Sequence, residues 1–133
     1  MTVDALELAV EHLDQNPQCV MVYGGVDYID RDGRLFFTNP SSQFNAKLLN
    51  FGPQLIPQPG ALWRRDAFEE VGGLSGEFNL AFDFDFFLRL KQVGELHHIP
   101  KTLAQFRWHP DSLSVKRRWV SVSEASRVRR KHY

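Results

Sequence analysis

The sequence contains a single cysteine, Cys19, among its 133 residues. One thiol excludes an internal disulfide framework, and on sequence grounds a cysteine-based zinc site as well. Cys19 lies in an apolar run that ends at Tyr23, which predicts a buried structural thiol. No apolar stretch approaches the roughly 20 residues of a membrane-spanning helix. Acidic residues at positions 4, 7 and 11 exclude a signal peptide, so a reduced, cytoplasmic compartment is expected.

Net charge is also lacking, because 16 Lys and Arg residues balance 16 Asp and Glu residues. This balance argues against nucleic acid as a partner. Basic residues nevertheless concentrate after Lys116, where Glu124 is the one acid. Residues 116–133 are therefore predicted to form a basic C-terminal helix or tail. Two interpretations stay open: a solvated helix face, or peripheral contact with anionic lipid at the inner face of a membrane.

What the sequence does contain fits one α/β domain. Hydrophobic residues make up 43% and charged residues 24%, a globular composition. A helix is predicted over residues 3–15, with Leu6, Val10 and Leu13 on its buried face, and Asn16-Pro17 ends it. The apolar run 19–23 predicts a buried strand that ends at Gly24-Gly25. A helix followed by a buried strand indicates the α/β class.

Further elements follow from periodicity and from turn residues. They are a hairpin with its turn at Asp32-Gly33, a short helix over 43–50, a proline-rich loop over 53–60, a strand over 61–64, a short helix over 66–71 that ends at Gly72-Gly73, a helix over 82–92, two strands (97–99 and 102–108) around Pro100, and a terminal helix over 120–132. Within the helix at 82–92, the spacing of Asp85 and Arg89 predicts an ordinary surface ion pair.

The first candidate site is Asp83. It begins the helix at 82–92 on the same face as Phe86, Phe87 and Leu90. A carboxylate on an apolar face is costly unless it is paired or functional, so Asp83 is a candidate catalytic group. A helix N-cap that faces solvent is the alternative.

Two further places can carry chemistry. His109 follows a predicted strand and precedes Pro110, so it is a candidate metal ligand or acid/base group, with a structural histidine as the alternative. Gly60 precedes the strand at 61–64, where its backbone could approach a ligand closely, with an ordinary turn as the alternative.

These candidate residues occur in the same order as the sequence motifs of a known family. The stretches Ile56–Arg65, Phe68–Leu74, Ala81–Leu90 and Ile99–His109 resemble the C-terminal half of family 2 glycosyltransferases. Asn16-Pro17 followed by Val22-Tyr23-Gly24 adds to the resemblance, which covers about residues 4–115. Residues 1–115 are therefore assigned to the C-terminal half of a glycosyltransferase domain. The fold implied is a partial GT-A fold, with a mixed sheet flanked by helices.

The resemblance implies roles for particular residues. Asp83 matches the aspartate of the family's xED motif, the general base of an inverting transfer. His109 matches the histidine that helps to hold the metal–diphosphate group. The candidate substrate-binding residues are Gln58, Gly60, Trp63 and Arg89, although Trp63 is equally suited to core packing. The implied cofactor is Mg²⁺ or Mn²⁺, and the implied partners are a nucleotide-sugar donor and a glycan or lipid-linked acceptor in polysaccharide biosynthesis.

The sequence departs from the family in two respects. The family's donor half carries a DxD motif that binds the metal and the diphosphate, and this motif is expected before the helix at 3–15, ahead of Met1. Phe82 also replaces the glutamate of xED. We therefore expect weak or no metal binding by this chain alone, and pairing with itself or with a separate donor half through an exposed strand edge and an apolar helix face. The alternative is a truncated, non-catalytic fragment or a carbohydrate- or partner-binding module.

Overall fold

The computed structural model describes residues 1–41, 58–77, 82–107 and 118–132. Its elements are α1 (Val3–Gln15), β1 (Cys19–Ile29), β2 (Leu35–Asn39), a 3₁₀ turn (Gln58–Gly60), β3 (Ala61–Trp63), α2 (Arg65–Glu70), α3 (Phe82–Lys91), β4 (Glu95–Arg107) and α4 (Arg118–His132). The predicted α/β class, with a sheet flanked by helices, is confirmed. The helix predicted at 43–50 and most of the loop at 53–60 lie outside the described residues.

All strand pairings in the described part of the chain involve β1. On one side β4 runs parallel to β1 along nearly its whole length. On the other side β3 pairs antiparallel with the first half of β1, with Met21 opposite Trp63. Next to it β2 pairs antiparallel with the second half, with Tyr28 opposite Phe37. The sheet is therefore mixed, and β1 lies at its centre.

Helix α1 has the predicted bounds, but its predicted buried face is correct only for Leu13. Ala5, Ala9 and Leu13 are buried, whereas Leu6 is 44% and Val10 42% exposed. Residues four apart form a stripe along a helix, and the stripe through positions 5, 9 and 13 contacts the sheet. Two alanines on that stripe allow the helix to approach the strands closely. The larger Leu6 and Val10 lie on a different face.

Two strand ends were predicted wrongly, at Gly24-Gly25 in β1 and at Pro100 in β4. Strand β1 continues through the glycine pair, and β4 continues past the proline. Between the pairs Tyr23–His98 and Gly25–Thr102 the register shifts, because β4 uses more residues than β1 there. Pro100 lies in this bulge, where a strand tolerates a residue without a backbone N–H.

Gly24 makes this bulge possible. A Cβ atom at position 24 would lie 2.6 Å from the carbonyl oxygen of Lys101 and 2.6 Å from Cγ of Leu103. Real Cβ atoms do not approach other atoms so closely. The glycine is therefore required by the packing of the two strands rather than by a chain reversal.

The core lies on both faces of the sheet. On one face α3 contributes Phe86, Phe87 and Leu90, which cluster with Met21 and Tyr23 of β1. The opposite face carries α1, whose buried stripe clusters with Cys19, Val22, Ile99 and Leu103. Helix α4 packs on α3, where Val128 contacts Phe84 and Leu88. No helix in the described ranges is long and apolar enough to cross a membrane.

Candidate functional site

Asp83 is the second residue of α3 and is half-buried. Its Oδ1 accepts a hydrogen bond from the backbone N of Phe84 at 2.8 Å. The helix behind it is fixed, because Phe86, Phe87 and Leu90 are almost fully buried. The candidate base is thus held at the start of a firmly packed helix, where backbone N–H groups still need partners. Its catalytic role stays a prediction.

Asp85, two residues further on, is 0% exposed and contacts three basic side chains. Its Oδ2 accepts from Nε of Arg89 at 3.0 Å, and its Oδ1 lies 2.8 Å from Nε2 of His132 and 3.1 Å from Nζ of Lys131. The predicted pair with Arg89 exists, but its predicted surface location is wrong because α4 packs over α3. Burial alone would raise the pKa of Asp85, but the hydrogen bonds from His132 and Lys131, with the charges of Lys131 and Arg89, lower it.

Arg89, a candidate substrate-binding residue, makes two hydrogen bonds inside the protein. Besides Asp85, its Nη1 donates to the backbone O of Val71 at 2.7 Å. The guanidinium also lies over the ring of Phe86, 5.8 Å from the centroid. Its buried Nη2 finds no acceptor among the described residues. The observed role of Arg89 is therefore to hold Asp85 and the end of α2.

Basic side chains of the C-terminal helix α4 also contact carboxylates of the rest of the protein. Nζ of Lys131 lies 3.1 Å from Oε2 of Glu77 as well as contacting Asp85. Desolvation would lower the pKa of Lys131, but these two carboxylates raise it. Arg129 lies over the ring of Phe84 at 5.6 Å. Lys131 and Arg129 thus contact α3 or Glu77, although the Lys131 side chain stays 38% exposed, and lipid contact by the remaining basic residues stays a prediction.

Gly60 and Trp63 lie against the core. A Cβ atom at position 60 would lie 3.0 Å from the carbonyl oxygen of Gly24 and 3.3 Å from that of Gly25. The sequence predicts that the backbone at Gly60 approaches a ligand closely; in the structure this backbone lies close to β1. The ring of Trp63 packs edge-on against Phe86, with centroids 5.0 Å apart. Contact of either residue with a sugar stays a prediction.

The other two predicted site residues are less defined. Gln58 begins the 3₁₀ turn that leads into β3. His109 lies outside the described residues. The structure therefore brings Trp63 against the face of α3 and Gly60 against β1, while the metal role of His109 stays a prediction.

A group of side chains that the sequence reasoning missed lies at the other face of the sheet. The ligand atoms of His12, Cys19 and His97 all lie within 4.8 Å of one another. Nε2 of His12 is 2.7 Å from Nδ1 of His97, whose Nε2 is 2.8 Å from Oε2 of Glu95. Burial lowers the pKa of His12, with a further contribution from His97, and burial raises the pKa of Cys19. No sequence spacing signals this group, because the pairing of β1 with β4 creates it.

Arg64 is a second residue that the motif analysis passed over. Its Nε donates to the backbone O of Cys19 at 2.7 Å, and its Nη2 donates to Asn16 O at 3.2 Å and to Leu13 O. These carbonyls belong to the end of α1 and the start of β1. A cation at a helix C-terminus is favourable, so Arg64 fixes α1 on the sheet.

Comparison with known proteins gives little information on activity. No protein-family model matches the chain. The chain is similar to the uncharacterized protein y4gI of Sinorhizobium fredii, with 30% identity over 118 residues, or 86% of this chain. It spans 13% of the length of that relative. The relative's name states no activity.

Proposed function

We propose that residues 1–115 form the acceptor-side part of a family 2-type glycosyltransferase with a GT-A fold. The enzyme would transfer a sugar from a nucleotide-diphospho-sugar to an acceptor hydroxyl with inversion. The main support is the position of Asp83 at the start of α3, a helix that its buried apolar face holds against the sheet. The stretches that resemble the family also follow one another as the 3₁₀ turn with β3, α2, α3 and β4.

In this proposal Asp83 is the general base. The acceptor oxygen forms a bond to the anomeric carbon, and the bond from that carbon to the diphosphate breaks. The proton of the acceptor hydroxyl passes to the carboxylate of Asp83, and the nucleoside diphosphate leaves. A positioned base of this kind contributes about 10²–10⁴-fold to the rate.

The divalent metal that the resemblance implies does not fit the described residues. Within the described ranges, the group that could hold an ion consists of His12, Cys19 and His97. Mg²⁺ and Mn²⁺ prefer oxygen ligands, whereas this group offers nitrogen and sulfur. No catalytic step is therefore routed through a metal.

The proposal is tested with Asp83→Asn in a nucleoside-diphosphate release assay, using a panel of UDP- and GDP-sugars, Mn²⁺ and glycan acceptors. We expect turnover to fall by about 10²–10⁴-fold. Asp66→Asn is the matched control, because Asp66 is also the second residue of its helix. Its Oδ1 accepts from the backbone N of Ala67 at 2.8 Å, as Asp83 does from Phe84. Equal turnover in both variants contradicts the proposal, and so does a lack of release by the unmodified chain once a DxD-bearing donor half is supplied.

A glycan-binding module is the second candidate, and an aromatic row on the sheet favours it. Tyr28 lies directly between Phe37 of β2 and Phe106 of β4, and both ring-centroid distances are 5.7 Å. Residues paired across strands project from the same face. Phe37 is 56% and Phe106 36% exposed, so the row presents an apolar platform to ligands.

Substitutions in the aromatic row and at Asp83 distinguish the two candidate functions. Phe37→Ala should weaken glycan binding about 2–10-fold, since one stacked aromatic ring contributes on the order of 0.5–1.5 kcal/mol. Phe36→Ala is the control, because Phe36 neighbours Phe37 in the same strand and projects from the opposite face. Under the second candidate Asp83→Asn leaves binding intact and turnover is never observed. Equal binding by both Phe variants contradicts the module.

A further inference from the structure

Three metal-binding side chains meet where α1 ends and where β1 and β4 begin. His12 comes from the last turn of α1, Cys19 opens β1, and His97 is the third residue of β4. We propose that His12, Cys19 and His97 bind a zinc-class divalent cation. This site is separate from Asp83 and does not depend on the proposed transferase activity.

The donor set selects the class of cation. Imidazole nitrogen and thiolate sulfur are the preferred ligands of Zn²⁺ and do not suit Mg²⁺ or Mn²⁺. Cys19 is fully buried, while both histidine side chains are half-buried. A cation here therefore has the buried, apolar surroundings of Cys19 on one side, and solvent reaches it past the two histidines. Three protein ligands and one water complete a tetrahedral site.

Glu95 provides an independent argument. Its Oε2 lies 2.8 Å from Nε2 of His97. When Nε2 of His97 donates a hydrogen bond to the Glu95 carboxylate, Nδ1 of His97 carries a lone pair that is directed at His12. Zinc-binding histidines commonly donate their other N–H to a carboxylate, which fixes the tautomer and the ring orientation.

The observed distances require only small side-chain movements to accept an ion. With Zn–N bonds of about 2.0–2.1 Å and a Zn–S bond of about 2.3 Å, tetrahedral ligand atoms stand roughly 3.3–3.6 Å apart. The 2.7 Å between the two imidazole nitrogens must therefore widen, and the sulfur, now within 4.8 Å of both, must lie about 3.6 Å from each. Strand pairing holds Cys19 beside Glu95, and the bond from Arg64 to the Cys19 carbonyl fixes the backbone.

Binding balances in protons and charge. The thiol of Cys19 now donates to the backbone O of Met21 at 3.1 Å. Binding breaks this hydrogen bond, forms a metal–sulfur bond and releases the thiol proton to solvent. His12 and His97 stay neutral, with the ring proton of His12 moving from Nε2 to Nδ1. The thiolate and the Glu95 carboxylate offset the two charges of the cation beside the guanidinium of Arg64.

The test is titration of the metal-free chain with CoCl₂, followed by displacement with ZnCl₂. We expect one ion per chain and a sulfur-to-cobalt charge-transfer band with the ligand-field absorption of a tetrahedral ion, both lost when Zn²⁺ is added. Cys19→Ser should abolish the charge-transfer band. His12→Gln and His97→Gln should each weaken Zn²⁺ binding at least about tenfold, and Glu95→Gln about 10–100-fold.

His98→Gln is the matched control, because His98 neighbours His97 but contacts the carbonyl of Pro40 at 3.2 Å instead. It should bind as tightly as the unmodified chain. Should Cys19→Ser fail to fold by circular dichroism, the two half-buried histidine variants decide. Lack of the charge-transfer band in the unmodified chain, or equal Zn²⁺ affinity of His97→Gln and His98→Gln, overturns the proposal.

Discussion

Nε2 of His132 lies 2.8 Å from Oδ1 of Asp85, although the two residues are 47 positions apart. Asp85 is 0% and the His132 side chain 8% exposed. This contact joins the C-terminal helix α4 to α3, the helix that carries Asp83. The basic end of the chain is therefore part of the structure that positions the candidate base.

Asp85→Asn should lower the free energy of unfolding by about 3–5 kcal/mol, because it removes the carboxylate that pairs with Arg89 inside the fold. Glu69→Gln is the control, since Glu69 forms an exposed ion pair with Arg65 at the same spacing of four residues. That loss should stay within about 1 kcal/mol. Urea unfolding of both variants measures the difference. Similar losses of unfolding free energy in the two variants would contradict a buried ion pair at Asp85.

The Asp85 network should also make stability depend on pH. The pKa of Asp85 is lower in the folded chain than in the unfolded chain, so its contribution is full above the unfolded value of about 3.9 and is lost as pH falls through the folded pKa. The stability difference between the unmodified chain and Asp85→Asn should therefore shrink as pH falls below about 4. Urea titrations from neutral to acidic pH measure it. A difference that stays constant into acid disagrees with the lowered pKa.

Arg64→Gln should lower the free energy of unfolding by about 2–3 kcal/mol, because a charged donor to three backbone carbonyls is lost. The neighbouring Arg65→Gln is the control, since that side chain is 91% exposed. Its effect should stay within about 0.5 kcal/mol. Hydrogen exchange of the α1 amides shows where the loss occurs. Unchanged protection of α1 in Arg64→Gln rules out the anchoring role.

Gly24→Ala should destabilise the chain by about 1–3 kcal/mol, because its Cβ atom has no room between the backbone and Leu103 of β4. Gly76→Ala is the control, since no atom of the described residues, its two chain neighbours aside, lies within 4 Å of a Cβ placed there. Thermal unfolding compares the two variants. Equal melting temperatures would show that β4 can move away from β1 at little cost.

Local patterns in the sequence predicted most element bounds. Helix α1 matches its predicted range, and the stop at Gly72-Gly73 and the hairpin turn at Asp32-Gly33 are confirmed. The errors lie where tertiary contacts override local signals. Pro100 marks a strand end by propensity, but a bulge accommodates it, and Leu6 looks like a core residue until the alanine stripe is seen to contact the sheet.

The candidate site was less predictable for the same reason. Asp83 could be singled out because it shares a helix face with Phe86. Burial of Asp85 depends on α4, which follows far along the chain, and the group of His12, Cys19 and His97 depends on the register between β1 and β4. Single residues of these types carry no signal until the fold brings them together.

The central position of β1 also has a kinetic consequence. Since β2, β3 and β4 all pair with β1 in the described residues, no two of the other strands support each other without it. The hairpin of β1 and β2 closes a short loop, whereas the parallel pairing with β4 closes most of the chain. Long loops are entropically costly to close before contacts form, so folding should begin at the hairpin and docking of β4 should limit its rate.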